Sequence, residues 1–164
     1  MKKWLIIGGC LGIVYLLIRP WPEPTMLEIV ESYEESWGIA LPEPQRFERI
    51  WATKTPAFGD GEWVSVLHYD AALPEPTSAE FKLITTETEA IISGMVTRFM
   101  TNTINTHLGD TETQAEIRAA FHKHPVEIAL GDYYFNQSKN GHGDYIIGVY
   151  SRENNNIYLL EWHQ

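Results

Sequence analysis

The amino-acid sequence predicts an α+β fold: a single extracytoplasmic domain with an antiparallel sheet and helices packed on one face, preceded by an N-terminal transmembrane helix. Three observations predict this. An uncharged apolar run begins at Trp4, after two lysines. Several later segments carry apolar residues at helical spacing, bounded by capping residues. Other segments alternate apolar and polar residues or are rich in aromatic and β-branched residues, as strands are. Because helices and strands do not alternate as βαβ units, the sheet is expected to be antiparallel.

The first element is an apolar run from Trp4 to Ile18, flanked by basic residues. A helix of this length extends only about 22 Å, whereas the hydrocarbon core of a bilayer is about 30 Å thick. The basic side chains on either side and Trp21 can lie at the membrane interface and so lengthen the span. We therefore predict that residues 4–21 form a transmembrane signal-anchor helix.

Two alternatives concern processing of this segment. Ile7-Gly8-Gly9-Cys10 looks like a bacterial lipoprotein processing site, which would leave the protein lipid-anchored at Cys10. The apolar run, however, continues well beyond that cysteine. A secretory signal needs small residues just before its cleavage site. The run ends in Leu16-Leu17-Ile18-Arg19-Pro20, which offers none, so an uncleaved anchor is the favoured interpretation.

The basic residues also predict the orientation of the chain. Lys2 and Lys3 precede the apolar run and Arg19 alone follows it closely. By the positive-inside rule, residues 1–3 form a cytoplasmic tip and the rest of the chain lies outside. The chain is then a single-pass protein of the cell membrane. Residues 22–24, Pro-Glu-Pro, form a short stiff spacer, and residues 25–164 form one soluble, acidic domain.

The net charge and cysteine content of that domain disfavour several classes of binding partner and chemistry. Residues 20–164 contain nine of the twelve Lys and Arg residues and all 22 Asp and Glu, for a formal charge of −13. Such acidity disfavours nucleic acid and anionic lipid, since both attract cationic surfaces. Cys10 is the only cysteine. The domain therefore has no disulfide and no thiolate to act as nucleophile or metal ligand.

The first helix of the domain follows the spacer directly. Thr25-Met26-Leu27-Glu28 has the pattern of a capping box, and Gly38 is placed to end the helix. The apolar stripe between them consists of Met26, Val30, Tyr33 and Trp37. Residues Arg46 to Thr53 and Glu62 to Tyr69 then predict two strands, the second alternating clearly.

Two more helices are predicted in the middle of the chain. Thr86-Glu87-Thr88-Glu89 opens the second by the same capping logic, and its broad apolar face predicts a central packing helix. Gly94 within it costs up to ~1 kcal/mol relative to alanine, so we expect close packing there. The third helix runs from Thr111 to about His122, begins after Gly109-Asp110 and is stopped by Pro125.

The C-terminal third predicts strands. Val126 to Phe135 is one strand, or two short ones broken at Gly131-Asp132. Asp144 to Ser151 and Ile157 to His163 predict a hairpin. The continuous apolar runs in these last two strands predict that most of both faces is buried.

Histidines supply the candidate sites. His122 and His124 are two residues apart, so on an extended segment they share a face and could bind zinc or copper. At a helix C-terminus they would instead complement the helix dipole. His142 lies between two glycines and two residues before Asp144, a pairing that resembles a general base oriented by a carboxylate. Glycine-rich polar sequence is equally typical of a hairpin loop.

The function hypothesis is a membrane-anchored interaction or ligand-sensing domain, with the membrane contacted through the N-terminal helix and a protein partner or small ligand outside. The sequence contains no nucleophile elbow, phosphate-binding loop, metalloprotease helix motif or calcium loop. Their absence favours binding over catalysis, and no metal or other cofactor is predicted. The alternative is a membrane-tethered hydrolase or metal-dependent enzyme using His142, Asp144 and His122 or His124. It requires these side chains to converge in one cleft.

Overall fold

The structure is a computed structural model that describes residues 23–54, 60–74, 80–139, 141 and 143–164. The predicted anchor, residues 4–21, lies outside these ranges, as does Cys10. Within the described ranges, no helix combines the length and apolar character needed to cross a membrane.

The described residues form an α+β fold with three helices and one six-stranded sheet. The helices are α1 (Met26–Trp37), α2 (Glu89–Thr106) and α3 (Thr111–Lys123). The strands are β1 (Arg46–Ala52), β2 (Gly61–His68), β3 (Lys82–Leu83), β4 (Tyr133–Ser138), β5 (Tyr145–Ser151) and β6 (Asn156–His163). Every pairing between neighbouring strands is antiparallel. The predicted α+β class and antiparallel sheet are thus confirmed.

The strand order places the last strand in the middle of the sheet. The order is β1-β2-β6-β5-β4-β3, so β6 joins the β1–β2 hairpin to the three remaining strands. β2 and β6 pair along their whole length, from Gly61 opposite His163 to His68 opposite Asn156. β5 and β6 form the predicted hairpin, with a turn at residues 152–155.

The helices cover both faces of the sheet, so the prediction that they pack on one face was wrong. α2 and α3 pack on one face, which includes Val64, Val66 and Leu160. α1 packs on the opposite face, which includes Leu67 and Leu159. The central strands are apolar on both sides, and each side must be shielded from water. α1 supplies the second cover.

The ends of α1 follow the predicted pattern. Thr25 and Glu28 make both hydrogen bonds of a capping box, and Gly38 ends the helix in the left-handed conformation with φ +69°. At α3, the Asp110 side chain accepts a hydrogen bond from the Thr113 N–H. α2 begins at Glu89 after Thr88, but the Thr88 hydroxyl bonds backward to Thr85 and makes no capping bond to the helix.

Two local predictions need correction. A side chain at Gly94 would meet no atom within 4 Å, so close packing does not explain this glycine. Residues 125–129 are not a strand, and β4 starts only at Tyr133. The two-residue strand β3, which was not predicted, pairs with the start of β4.

A bulge in β1 changes the direction of one aromatic side chain. Arg49 pairs with Ser65 and Trp51 pairs with Val64, which leaves Ile50 as the extra residue. Without the bulge, Trp51 would share the α1 face with Arg49, because side chains alternate along a strand. With it, Trp51 joins the core under α2 and α3.

Candidate functional site

Two buried glutamates lie at the same end of the sheet. Glu62 is at the start of β2 and Glu161 is near the end of β6, and these two strands are neighbours. Glu161 pairs with Trp63, and paired residues point to the same face of the sheet. Since Trp63 directly follows Glu62 and side chains alternate along a strand, Glu161 and Glu62 lie on opposite faces. Buried carboxylates are uncommon and normally have polar partners. Each glutamate is the centre of a polar cluster.

The Glu161 cluster connects β6 to α1. The side chain of Glu161 is 7% exposed. It accepts hydrogen bonds from the Tyr33 hydroxyl at 2.9 Å and from Trp37 Nε1 at 3.3 Å. Burial, reinforced by the nearby Glu161 carboxylate, raises the pKa of Tyr33. Tyr33 is therefore held as a neutral hydrogen-bond donor.

Basic and aromatic side chains complete this cluster. Arg49 Nη1 lies 3.9 Å from Glu161 Oε1, and His163 Nε2 lies 3.5 Å from Glu161 Oε2. The His163 ring lies between the rings of Trp37 and Trp63, with centroid distances of 5.4 and 4.2 Å. The polar atoms of Glu161 are thus used within the fold, which marks the cluster as a structural tie between α1 and the sheet.

The Glu62 cluster is less complete. The Thr53 hydroxyl donates to Glu62 Oε2 and accepts from the Glu62 N–H. Gly61 allows this approach, since a Cβ there would lie 3.0 Å from Thr53 Cβ. His107, after α2, places its Nε2 3.9 Å from Glu62 Oε2, beyond hydrogen-bond distance. That nitrogen is buried and has no hydrogen-bond partner among the described residues.

A cleft of about 380 Å³ opens at this end of the sheet, beside Glu62. We call it the sheet-end cleft. It is lined by Thr53, Asp60, Gly61, Glu62, Thr106, Trp162, His163 and Gln164. His163 therefore touches both the cleft and the Glu161 carboxylate. Protein sites for small molecules typically have volumes of about 300–1,000 Å³, so this cleft is at the smaller end of that range.

Asp144 lies beside the cleft and is bonded to one of its lining residues. Its Oδ1 accepts a hydrogen bond from the backbone N–H of Gln164 at 2.8 Å. Gln164 lines the cleft, so Asp144 holds one part of its rim. His142, the other member of the proposed acid–base pair, lies outside the described residues.

His122 and His124 have different surroundings. His122 is exposed on the last turn of α3. His124 caps that helix and directs Nε2 to within 3.5 Å of Glu48 Oε1 on β1. Asp144 directly precedes β5. Two strands lie between β1 and β5, so these two strands are roughly 14 Å apart at the usual strand spacing. Asp144, His122 and His124, the candidate catalytic or metal-binding side chains that the structure describes, therefore do not converge in one cleft.

Sequence reasoning missed the basic cluster around Glu48. Arg46 Nη1 lies 3.0 Å and His68 Nε2 lies 3.3 Å from Glu48 Oε2, and His124 approaches the other oxygen. Partial desolvation raises the pKa of Glu48, but the surrounding basic side chains lower it more, so its pKa lies below the ordinary value. The cluster joins β1, β2 and the end of α3.

Within the described ranges, no three His, Cys, Asp or Glu side chains are grouped so that they could hold a metal ion. The absence of a metal cofactor remains a prediction. No protein-family model, curated protein or solved structure matches this chain.

Proposed function

We propose that the chain is a single-pass protein of the cell membrane whose residues 25–164 form an extracytoplasmic interaction or ligand-sensing domain. In this proposal residues 4–21 are the anchor, and residues 1–3 remain in the cytoplasm. The lysine pair before the apolar run and the lack of a cleavage site support the topology.

The observation that carries the binding function is the incompletely paired Glu62 carboxylate at the sheet-end cleft. Glu62 lies on β2, which is paired with β6 along its whole length. A polar group held on such a rigid strand needs little ordering when a ligand binds, and preorganisation of this kind favours affinity. We therefore favour the sheet-end cleft as the binding site.

Two observations favour binding over the hydrolase alternative. Asp144 is bonded to backbone at the cleft rim, and His124 is paired with Glu48. Each of these contacts gives the side chain a structural role.

The topology is tested with the full-length protein in a bacterial host. We expect it in the membrane fraction with an intact N-terminus, and we expect protease added to spheroplasts to degrade residues 25–164. Full protection of the domain, or a mature N-terminus at Cys10, would contradict the proposed anchor.

The binding site is tested by photo-crosslinking in membranes. A photoreactive residue at Thr106, in the cleft, should capture a discrete partner or a labelled small-molecule fraction. The same residue at Glu153, in the turn at the other end of β6, should not. Equal capture from both positions would refute the sheet-end cleft as the site.

A further inference from the structure

Among the described residues, Glu62 has no basic partner at hydrogen-bond distance. Its side chain is only 4% exposed, and within the same part of the chain its carboxylate accepts a side-chain hydrogen bond from the neutral Thr53 hydroxyl alone. His107 lies nearby at 3.9 Å without a hydrogen bond. Within the described parts of the chain, no Lys or Arg nitrogen lies within 4.0 Å of the Glu62 carboxylate. A carboxylate removed from water is costly unless close partners compensate its charge, and the His107 ring is too far away to hydrogen-bond to it. A cation arriving in the cleft would offset that cost.

The remaining cleft wall favours an organic cation. Trp162 and Gly61 contribute apolar atoms to the lining, Thr106 lines the same cleft, and Asp60 adds a second acidic side chain. An alkyl stem can lie along the apolar wall while its charged end reaches Glu62. A bare metal ion instead needs several converging protein ligands. The described residues do not provide such a group.

We propose that the sheet-end cleft binds an alkylammonium or alkylguanidinium group, with Glu62 as its counter-charge and Trp162 against its apolar stem. This inference rests on the proposed function of the cleft as a binding site. The cation has two possible sources: a free small amine, or a Lys or Arg side chain of a protein partner. Both present the same chemistry to Glu62.

The probes are n-butylammonium and n-butylguanidinium, with n-butanol as the uncharged analogue, added to the full-length protein in detergent micelles. Binding is followed by calorimetry and by the NMR signal of the Trp162 indole N–H. We expect both cations to bind and to shift that signal, and n-butanol to bind at least about tenfold more weakly. Equal binding of n-butanol would overturn the proposal.

Matched charge variants assign the effect to Glu62. Glu62→Gln keeps the shape of the side chain and removes its charge, so cation affinity should fall by about tenfold or more. Glu153→Gln removes the same charge at the far end of β6 and should leave the affinity within about twofold, since distant exposed charges are screened by salt. Equal losses in the two variants would show attraction to the overall acidity of the chain, and would overturn a specific site.

A second pair of variants does not require Glu62 to change. Thr106 lies in the cleft at the exposed end of α2. Thr106→Lys should place a tethered ammonium in the cleft and abolish binding of the probes. Thr106→Met adds similar bulk without charge and should retain most of the affinity. Loss of binding in both variants would indicate simple blockage and would overturn the role of charge.

The source of the cation is distinguished by comparing n-butylammonium with the capped tripeptide Gly-Lys-Gly. Tighter binding of the peptide identifies a protein side chain as the natural occupant, and tighter binding of the free amine identifies a small molecule. If neither binds while Thr106 still captures a partner in membranes, the proposed binding function stands and the cation inference fails.

Discussion

Glu161 directly follows the apolar run Ile157 to Leu160 of β6, and its position explains how α1 is held. Tyr33 and Trp37 lie one helical turn apart on α1, and both donate to this carboxylate. The apolar stripe of α1 sets which side of the helix faces the sheet. The two hydrogen bonds fix its rotation more closely, because they require both donors to point at one carboxylate.

Replacing Glu161 should therefore destabilise the fold strongly. Glu161→Ala leaves the Tyr33 hydroxyl and the Trp37 N–H buried without an acceptor and removes the charge facing Arg49. We expect a loss of about 3 kcal/mol in the free energy of unfolding, measured by urea titration with circular dichroism. Glu153→Ala is the control and should change stability by no more than about 0.5 kcal/mol. A Glu161→Ala variant as stable as this control would show that the cluster contributes nothing.

The sequence contains a signal for both buried glutamates, but not for their partners. The strand from Ile157 to His163, which contains Glu161, was correctly predicted to be largely buried, and an acidic residue in such a strand indicates a polar cluster. Tyr33 lies far from Glu161 in the sequence, so no local pattern connects them. His107 and Thr53 meet Glu62 only because the order of strands and helices brings three elements to one end of the sheet. Side-chain periodicity does not contain that information.

Two glycines, one at the end of α1 and one within α2, provide a matched test of backbone effects on stability. Gly38 ends α1 with φ +69°, a conformation that costs a residue with a Cβ roughly 1 kcal/mol. Gly94 lies within α2 and has open space where a Cβ would be. We expect Gly38→Ala to destabilise the protein by about 1 kcal/mol and Gly94→Ala to stabilise it by about 0.5–1 kcal/mol. Thermal and urea unfolding both report the sign of each change.

The opposite signs are the essential part of this prediction. Destabilisation by Gly94→Ala would indicate that α2 approaches something outside the described contacts at that position. A neutral Gly38→Ala would indicate that the end of α1 is frayed in solution.

The elements themselves were largely predictable, and their arrangement was only partly so. The capping box at Thr25 and the turn glycine Gly38 act locally, so the sequence marks the ends of α1 directly. β3 is too short to show an alternating pattern, and it exists because the start of β4 pairs with it. The division of the helices between two faces was indicated by the apolar runs of β5 and β6, which predicted burial on both sides. That burial is incompatible with helices on one face alone.

We expect buried and half-buried tyrosines to limit the stability of the protein in alkali. Burial is the main cause that raises the pKa of Tyr33, Tyr69 and Tyr145. In the unfolded chain these phenols ionise near pH 10, so above that pH the folded state holds more protons than the unfolded state. The free energy of unfolding should then fall as pH rises, by up to about 1.4 kcal/mol per pH unit for each protected tyrosine.

Urea titrations between pH 8 and pH 11 measure this slope. We expect a level region up to about pH 9.5 and a decline beyond it. Tyr69→Phe removes one of the three groups, so its stability should decline less steeply even if the variant is less stable at pH 8. Phenolate absorbance that titrates completely near pH 10 in the folded protein would contradict the prediction.

The central position of β6 constrains when the chain can fold during its synthesis. A ribosome makes β6 after every other strand, yet only β6 connects β2 to β5. Until residues 156–163 have emerged, the β1–β2 hairpin and the three-strand group lack their shared neighbour, and Tyr33 and Trp37 lack the Glu161 acceptor. The domain therefore cannot fold progressively from its N-terminus. In a cell the unfinished chain would be open to chaperones and proteases and would become resistant to them in one late step.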